Sequence, residues 1–384
     1  MRFEFSTATR IIFGPGTAQE LASAAAALGR QALLVVGKSA ARTDSVAKDL
    51  ETAGIRVTRY QIRGEPTVEL VRRGVEQARA ARTDLVIAIG GGSVIDAGKA
   101  IAALLPNEGS ILDYLEVVGK GQALEADSLP FIAVPTTAGT GSEVTRNAVL
   151  AVTEQQVKVS LRGPTLLPRL AIVDPELTYG VPRDVTAASG MDALAQLIEP
   201  FVSTGSNAMT DALCRDGIRR AARSIRAAYT QPQDASARAD MALAALYSGM
   251  ALANARLGAV HGFAGPIGGL FPAPHGAICG RLLPHVMEAN IRILRGRAPE
   301  SEAVRRYDEV GQILTDRADA RGEEGAAWIR ELYADLDIPG LGTYGMREVH
   351  FPDVVARSAR SSSMKGNPVA LTESEMMEIL GAAL

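Results

Sequence analysis

The chain has 384 residues, with 40 Lys+Arg against 43 Asp+Glu and a formal net charge of −3. That length holds one large or two medium domains, each with a core of its own, and the near-neutral balance offers no electrostatic footprint for a nucleic acid or an anionic membrane. The two cysteines, Cys214 and Cys279, form no Cys-x-x-Cys pair, which excludes a zinc ribbon and a disulfide framework, fits a reducing cytoplasm and predicts buried packing for both.

In chain order, the N-terminal MRFEFSTATRIIFGPG alternates like a strand and lacks the apolar core of a signal peptide. Residues 17–29 read as a capped, Ala-rich helix closed by Gly29, and 31–36 as a short strand buried on both faces. A helix over 43–53, a strand at 55–60, a helix at 67–81 and buried strands at 84–89, 131–134 and 170–173 continue the series. This alternation predicts a parallel sheet wrapped by helices. From Pro182 onward Ala, Leu, Arg and Glu recur at helical spacing with few β-branched runs. The expected organisation is therefore an α/β domain over 1–180 and an all-α domain over 181–384. Arg215, Arg219, Arg220, Arg223 and Arg226 fall on one helical stripe and predict a solvated basic face. No stretch is long and apolar enough to span a membrane.

Two loops in the first half carry the chemistry. Gly90-Gly91-Gly92-Ser93-Val94-Ile95-Asp96-Ala97-Gly98-Lys99 follows the strand DLVIAI and opens a helix. Glycines there allow close backbone approach to a ligand, and a helix N-terminus favours a phosphate; the same residues also suit a ligand-free turn. Pro135-Thr136-Thr137-Ala138-Gly139-Thr140-Gly141-Ser142-Glu143 follows a second buried strand. In open α/β sheets the carboxyl edge of the strands is where ligands bind.

In the second half, Asp192 and Gln196 lie four apart on one helix face, with Glu199 three further along the stripe. Of four histidines, His261 and His275 sit beside glycine in apolar surroundings, where an unpartnered imidazole is costly. A carboxylate helix and two such histidines suit a divalent transition metal.

Taken in order, GGGSVIDAGK, PTTAGTGSE, VDPEL, GMDAL and VHG…PHG resemble the iron-containing alcohol dehydrogenase family along essentially the whole chain. The resemblance implies a dehydroquinate synthase-like architecture: an N-terminal dinucleotide-binding domain with a parallel sheet, an all-helical C-terminal domain, and the active site in the cleft between them. It implies that Gly91, Gly92 and Ser93 cradle the pyrophosphate of NAD or NADP with Asp96 nearby, that Thr136, Thr137 and Thr140 line the adenine-to-ribose side, and that Asn147, Lys158 and Leu177 hold the remainder. Metal positions (Fe or Zn) fall on Asp192, Gln196, His261 and His275, the two histidines doubling as catalytic candidates, and the expected assembly is a homodimer or larger.

This chain departs from the family's pattern at two places. Gln196 stands where histidine is usual, and a neutral amide oxygen is a poorer ligand than imidazole. Gly265 replaces a further histidine. Cofactor choice has a third clue: NAD-preferring relatives often place an acidic residue where this chain has Gly37, and Lys38 or Arg42 would meet a 2′-phosphate. The implied reaction is hydride transfer between the nicotinamide and a small alcohol/aldehyde pair. A maleylacetate-type oxo-acid reductase, with Arg256, Lys365 and Asn367 recognising a carboxylate, and a dehydroquinate-synthase-like lyase are the alternatives.

Overall fold

The computed structural model describes residues 2–37, 40–155 and 157–384. Contacts divide them into two compact units. One comprises Thr7–Thr137 and Gly141–Thr178; the other comprises Tyr179–Leu384, Ala138–Thr140 and the N-terminal residues through Ser6.

The first unit contains the strands β1 (Ile11–Phe13), β2 (Gln31–Val36), β3 (Arg56–Gln61), β4 (Leu85–Gly90), β5 (Phe131–Pro135), β6 (Asn147–Val152), β7 (Val157–Arg162) and β8 (Leu170–Val173). Its helices are α1 (Leu21–Ala26), α2 (Ala40–Thr52), α3 (Val68–Ala80), α4 (Gly92–Leu104) and α5 (Ile111–Tyr114). Six strands form one sheet in the order β1-β8-β5-β4-β2-β3, every neighbouring pair parallel. The apolar runs alternate between two faces. Leu34, Ile87 and Ile132 pack with Leu21 and Leu50 of α1 and α2, while Leu33, Val86, Ala88 and Phe131 pack with α3 and α4. Covering both faces is what makes a fully apolar strand stable.

Two local readings shift. The expected helix over 17–29 begins with a 3-10 turn, Thr17–Glu20, before α1. Strands β6 and β7 form a separate antiparallel hairpin that sequence reasoning missed. The signal was present in Ala148, Leu150 and Val152, which alternate buried with more exposed neighbours.

The second unit contains α6 (Arg183–Val202), α7 (Ala208–Thr230), α8 (Ala235–Asn254), α9 (Ala259–Leu270), α10 (His275–Arg297), α11 (Glu302–Thr315), α12 (Gly322–Asp335), α13 (Phe351–Ser358) and α14 (Glu373–Ala383). Helix α6 is buried without interruption from Gly190 to Val202, as expected of a helix enclosed by others. The sequence reading gave all of 1–180 to the sheet domain. Hydrogen bonds explain why two pieces of that span group with the helices: Ser6 N–H donates to Asn254 Oδ1 at 2.6 Å, and the Ser248 hydroxyl to the Gly139 carbonyl at 3.1 Å. The arginine stripe is solvent-facing at Arg219 and Arg223 and partly so at the other three, and it is also cross-linked: Arg215 pairs with Glu309, Arg220 and Arg223 with Asp240, and Arg226 with Asp335. Among the described residues no helix is long and apolar enough to cross a membrane.

Candidate active site

In the sheet unit, Gly90 of β4 lies opposite Pro135 of β5 in the parallel register. That register brings the two loops together at the carboxyl edge, where Thr136 N–H donates to the Gly90 carbonyl at 2.9 Å. A side chain at Gly91 would meet Thr137 Oγ1 at 3.4 Å, whereas one at Gly92 would meet only open space. Gly91 is the N-cap of α4 and supplies no side-chain acceptor, so the first N–H groups of that helix keep their donor capacity for a ligand. These features fit a dinucleotide phosphate. Ser93 is the second residue of α4, inside the same turn.

Other expected cofactor residues are engaged with the protein itself. Asp96 accepts hydrogen bonds from the Ser142 hydroxyl and, at 3.0 Å, from Val149 N–H, and pairs with Lys99 at 3.3 Å. Lys99, fully buried, also donates to the Thr145 hydroxyl and the Asn147 carbonyl. Asp96 thus ties β6 to α4, and Asn147 contributes its backbone there. Burial pushes the neighbouring Glu143 carboxyl up to about 7 despite the Lys99 charge. Lys158 pairs with Glu65, and Leu177 sits in a 3-10 turn, Pro175–Thr178, against the sheet core. Gly37 follows β2; a side chain there would touch Val94 of α4 at an ordinary 3.7 Å. Lys38 and the side chain of Arg42 lie outside the described residues.

In the helical unit, α6 carries Asp192, Gln196 and Glu199, each almost fully buried. Buried polar groups need partners, and theirs build the site. Thr140, expected on the adenine-to-ribose side, bonds within the helical unit: its hydroxyl donates to Asp192 Oδ2 at 2.8 Å, and its carbonyl accepts the Gln196 amide N–H at 2.6 Å. Gln196 gives its other amide proton to Ser248 Oγ at 3.0 Å. Glu199 accepts Val260 N–H at 2.6 Å and faces His261 Nδ1 at 2.6 Å. Gly258, the N-cap of α9, has no side chain to serve those N–H groups, so Glu199 acts as the cap from another helix. The same contact fixes the imidazole with Nε2 turned inward, the carboxylate–histidine arrangement common at metal sites.

His261 Nε2 and His275 Nε2 lie 3.4 and 3.6 Å from Asp192 Oδ1. That oxygen is buried and has no hydrogen-bond partner among the described residues. Cys279, one turn after His275 on α10, is buried in the core as expected, and its Sγ also lies 3.6 Å from His275 Nε2 and 3.9 Å from His261 Nε2. Donor atoms of Asp192, His261, His275 and Cys279 all lie within 4.8 Å of one another. The spacing of His275 and Cys279, four apart on a helix, was the signal that sequence reasoning passed over. Cys214 also packs in the core as expected.

Charge is shared across this cluster. Burial opposes ionisation of Asp192, but the histidine rings and the Thr140 hydroxyl hold its carboxyl at about 2. Burial likewise opposes the Cys279 thiolate, yet the two histidines draw its pKa below the ordinary thiol range. His275 is the least buried member, its side chain 40% exposed, and marks the open side. Gly265 of α9 leaves open space where a side chain would project. A buried carboxylate oxygen without a hydrogen-bond partner among the described residues, two inward imidazole nitrogens and a sulfur form a donor set suited to a divalent transition metal.

Asn367 is not free to recognise a carboxylate: it is buried, bonds to Asn290 and to Ala259 N–H, and donates to the Val369 carbonyl.

Comparison with known proteins agrees with this picture. The family profile described as "Iron-containing alcohol dehydrogenase" matches residues 8–175, and that of the "Fe-containing alcohol dehydrogenase family, C-terminal" matches 186–384. The 1,3-propanediol dehydrogenase of Citrobacter freundii is 34% identical over 99% of this chain and 98% of its own. Alcohol dehydrogenase 4 of Saccharomyces cerevisiae is 35% identical over 88% of this chain and 86% of its own. The structure of sulfoacetaldehyde reductase from Bifidobacterium kashiwanohense in complex with NAD+ superposes with a TM-score of 0.86 at 30% identity, covering 100% of this chain and 99% of that one. The chain belongs to the iron-containing alcohol dehydrogenase family and is an oxidoreductase working between a nicotinamide cofactor and alcohols or aldehydes.

Proposed function

We propose that this enzyme interconverts a small primary alcohol and its aldehyde, with NAD(H) or NADP(H) at the Gly91–Gly92 loop and a divalent metal held by Asp192, His261 and His275. The observation that carries the reading is Asp192 Oδ1, a buried carboxylate oxygen without a hydrogen-bond donor among the described residues, 3.4 and 3.6 Å from two imidazole nitrogens. When bound, the metal would supply Lewis-acid polarisation of the substrate oxygen, and the nicotinamide would accept hydride from the alcohol or, reduced, give it to the aldehyde. The chain's own residues do the positioning. Thr140 holds the second Asp192 oxygen, and Glu199 holds the His261 ring. The open side at His275 admits substrate, and Gly265 leaves room beside α9 for a longer or bulkier one.

Metal analysis and chelation test this. Stripping the metal is expected to abolish the nicotinamide absorbance change with alcohols and aldehydes, and readdition of iron or zinc to restore it. Undiminished turnover by metal-free protein, or turnover confined to unsaturated oxo-acids, excludes the reading.

NADP(H) acceptance is supported by Gly37, which leaves no carboxylate to repel a 2′-phosphate. Gly37→Asp fits sterically, since the nearest atom to the added Cβ is 3.7 Å away. It is expected to raise KM for NADPH about tenfold or more, by like-charge repulsion, and that for NADH by less than about twofold. An unchanged NADPH/NADH ratio counts against this placement of the ribose.

A further inference from the structure

We infer that Cys279 is a metal ligand in this chain, completing an Asp192–His261–His275–Cys279 set beside Gln196. This rests on the metal site proposed above and adds a ligand to it. The Sγ stands 3.6 and 3.9 Å from the two Nε2 atoms, which are in turn 3.4 and 3.6 Å from Asp192 Oδ1. With metal–nitrogen and metal–oxygen distances of about 2.0–2.2 Å and metal–sulfur of about 2.3 Å, the edges of a tetrahedral site are roughly 3.3–3.7 Å. Four of the six separations are therefore close to those that one ion would impose, and all six lie within 4.8 Å.

The second observation concerns what the neighbours do. Asp192 Oδ1 is buried without a hydrogen-bond partner among the described residues, as a ligand oxygen should be. Gln196 spends both amide protons on Thr140 O and Ser248 Oγ, which makes it a brace for the Thr140 segment that also holds Asp192. Two anionic ligands cancel the charge of a divalent ion, where Asp192 alone leaves one unit uncompensated, and a soft sulfur favours zinc over harder oxygen-seeking ions. Substrate then enters as a fifth donor, a number that zinc tolerates.

Cobalt(II) reports a thiolate ligand directly, through a sulfur-to-metal charge-transfer band in the near ultraviolet. Full-length protein stripped of metal and loaded with cobalt is expected to show that band. Cys279→Ser should lose it while still binding cobalt, and Cys214→Ser should keep it. Zinc affinity should fall more than about 100-fold in Cys279→Ser, beyond the 10–100-fold typical of an outer-shell loss. Cobalt bound to the unaltered protein without a thiolate band overturns Cys279 as a ligand and leaves the metal site standing. Failure of the unaltered protein to bind cobalt overturns the metal site itself and this inference with it. If Cys279→Ser does not fold, the band in the unaltered protein and in Cys214→Ser still decides the matter.

Discussion

Asp192→Asn is expected to lower kcat/KM by about 10³-fold or more. The amide keeps the shape of the carboxylate but removes the anion that would hold a metal, and Lewis-acid polarisation contributes several kcal/mol at the transition state, each 1.36 kcal/mol being a decade in rate. The position is buried at the centre of α6, and the isosteric amide should leave the far-ultraviolet circular dichroism unchanged. Loss of activity together with loss of bound metal then separates a missing ligand from a misfolded chain. Activity within about tenfold of the unaltered enzyme, with metal retained, would assign the centre to other residues.

Gly276→Ala is expected to damage both stability and catalysis. An added Cβ would stand 2.0 Å from the Ala188 carbonyl oxygen and 3.2 Å from Asp192 Cβ. Heavy atoms do not approach a Cβ within 3.0 Å, so α10 must shift away from α6 by about 1 Å. Overpacking of this kind costs about 1–3 kcal/mol, a fall in Tm of roughly 2–12 °C for a unit of this size. His275 and Cys279 ride on α10 while Asp192 rides on α6, so the shift pulls the donor set apart. A misplacement near 1 Å costs about 100-fold in kcat/KM. Gly296→Ala, on the same helix with nothing within 4 Å, is the control and should hold or slightly raise Tm, since alanine is the better helix former. Equal behaviour of the two variants would refute the close approach.

The glycine of the PHG motif, Gly276, therefore has a packing reason, and it is one that no periodicity argument reaches. The sheet was legible because apolar β-strands between amphipathic helices carry their own pattern: Leu85–Gly90 and Phe131–Pro135 lie within a residue of where the runs DLVIAI and FIAV end. The hairpin Asn147–Arg162 was not read, since its alternation is short and half its residues are partly exposed. At the active site the residue types were legible and several roles were not. Asp192, His261 and His275 stood out as scarce polar groups in apolar segments. Thr140, grouped with the cofactor loop by its neighbours in sequence, bonds to Asp192, and Cys279, buried as expected, also faces both histidines.

By itself the sequence determined the alternation of strands and helices in the main sheet, the two polar loops at strand ends and the family. Those properties are written in local periodicity and contiguous motifs, which depend on residues near one another in the chain. Only the tertiary structure decided what the buried polar atoms do. Glu199 reaches across 62 positions to His261, Gln196 across 56 to Thr140, and Asp96 across 53 to Val149. Burial obliges each such group to find a partner, but which partner it finds is set by how helices pack, and that is a property of the assembled core.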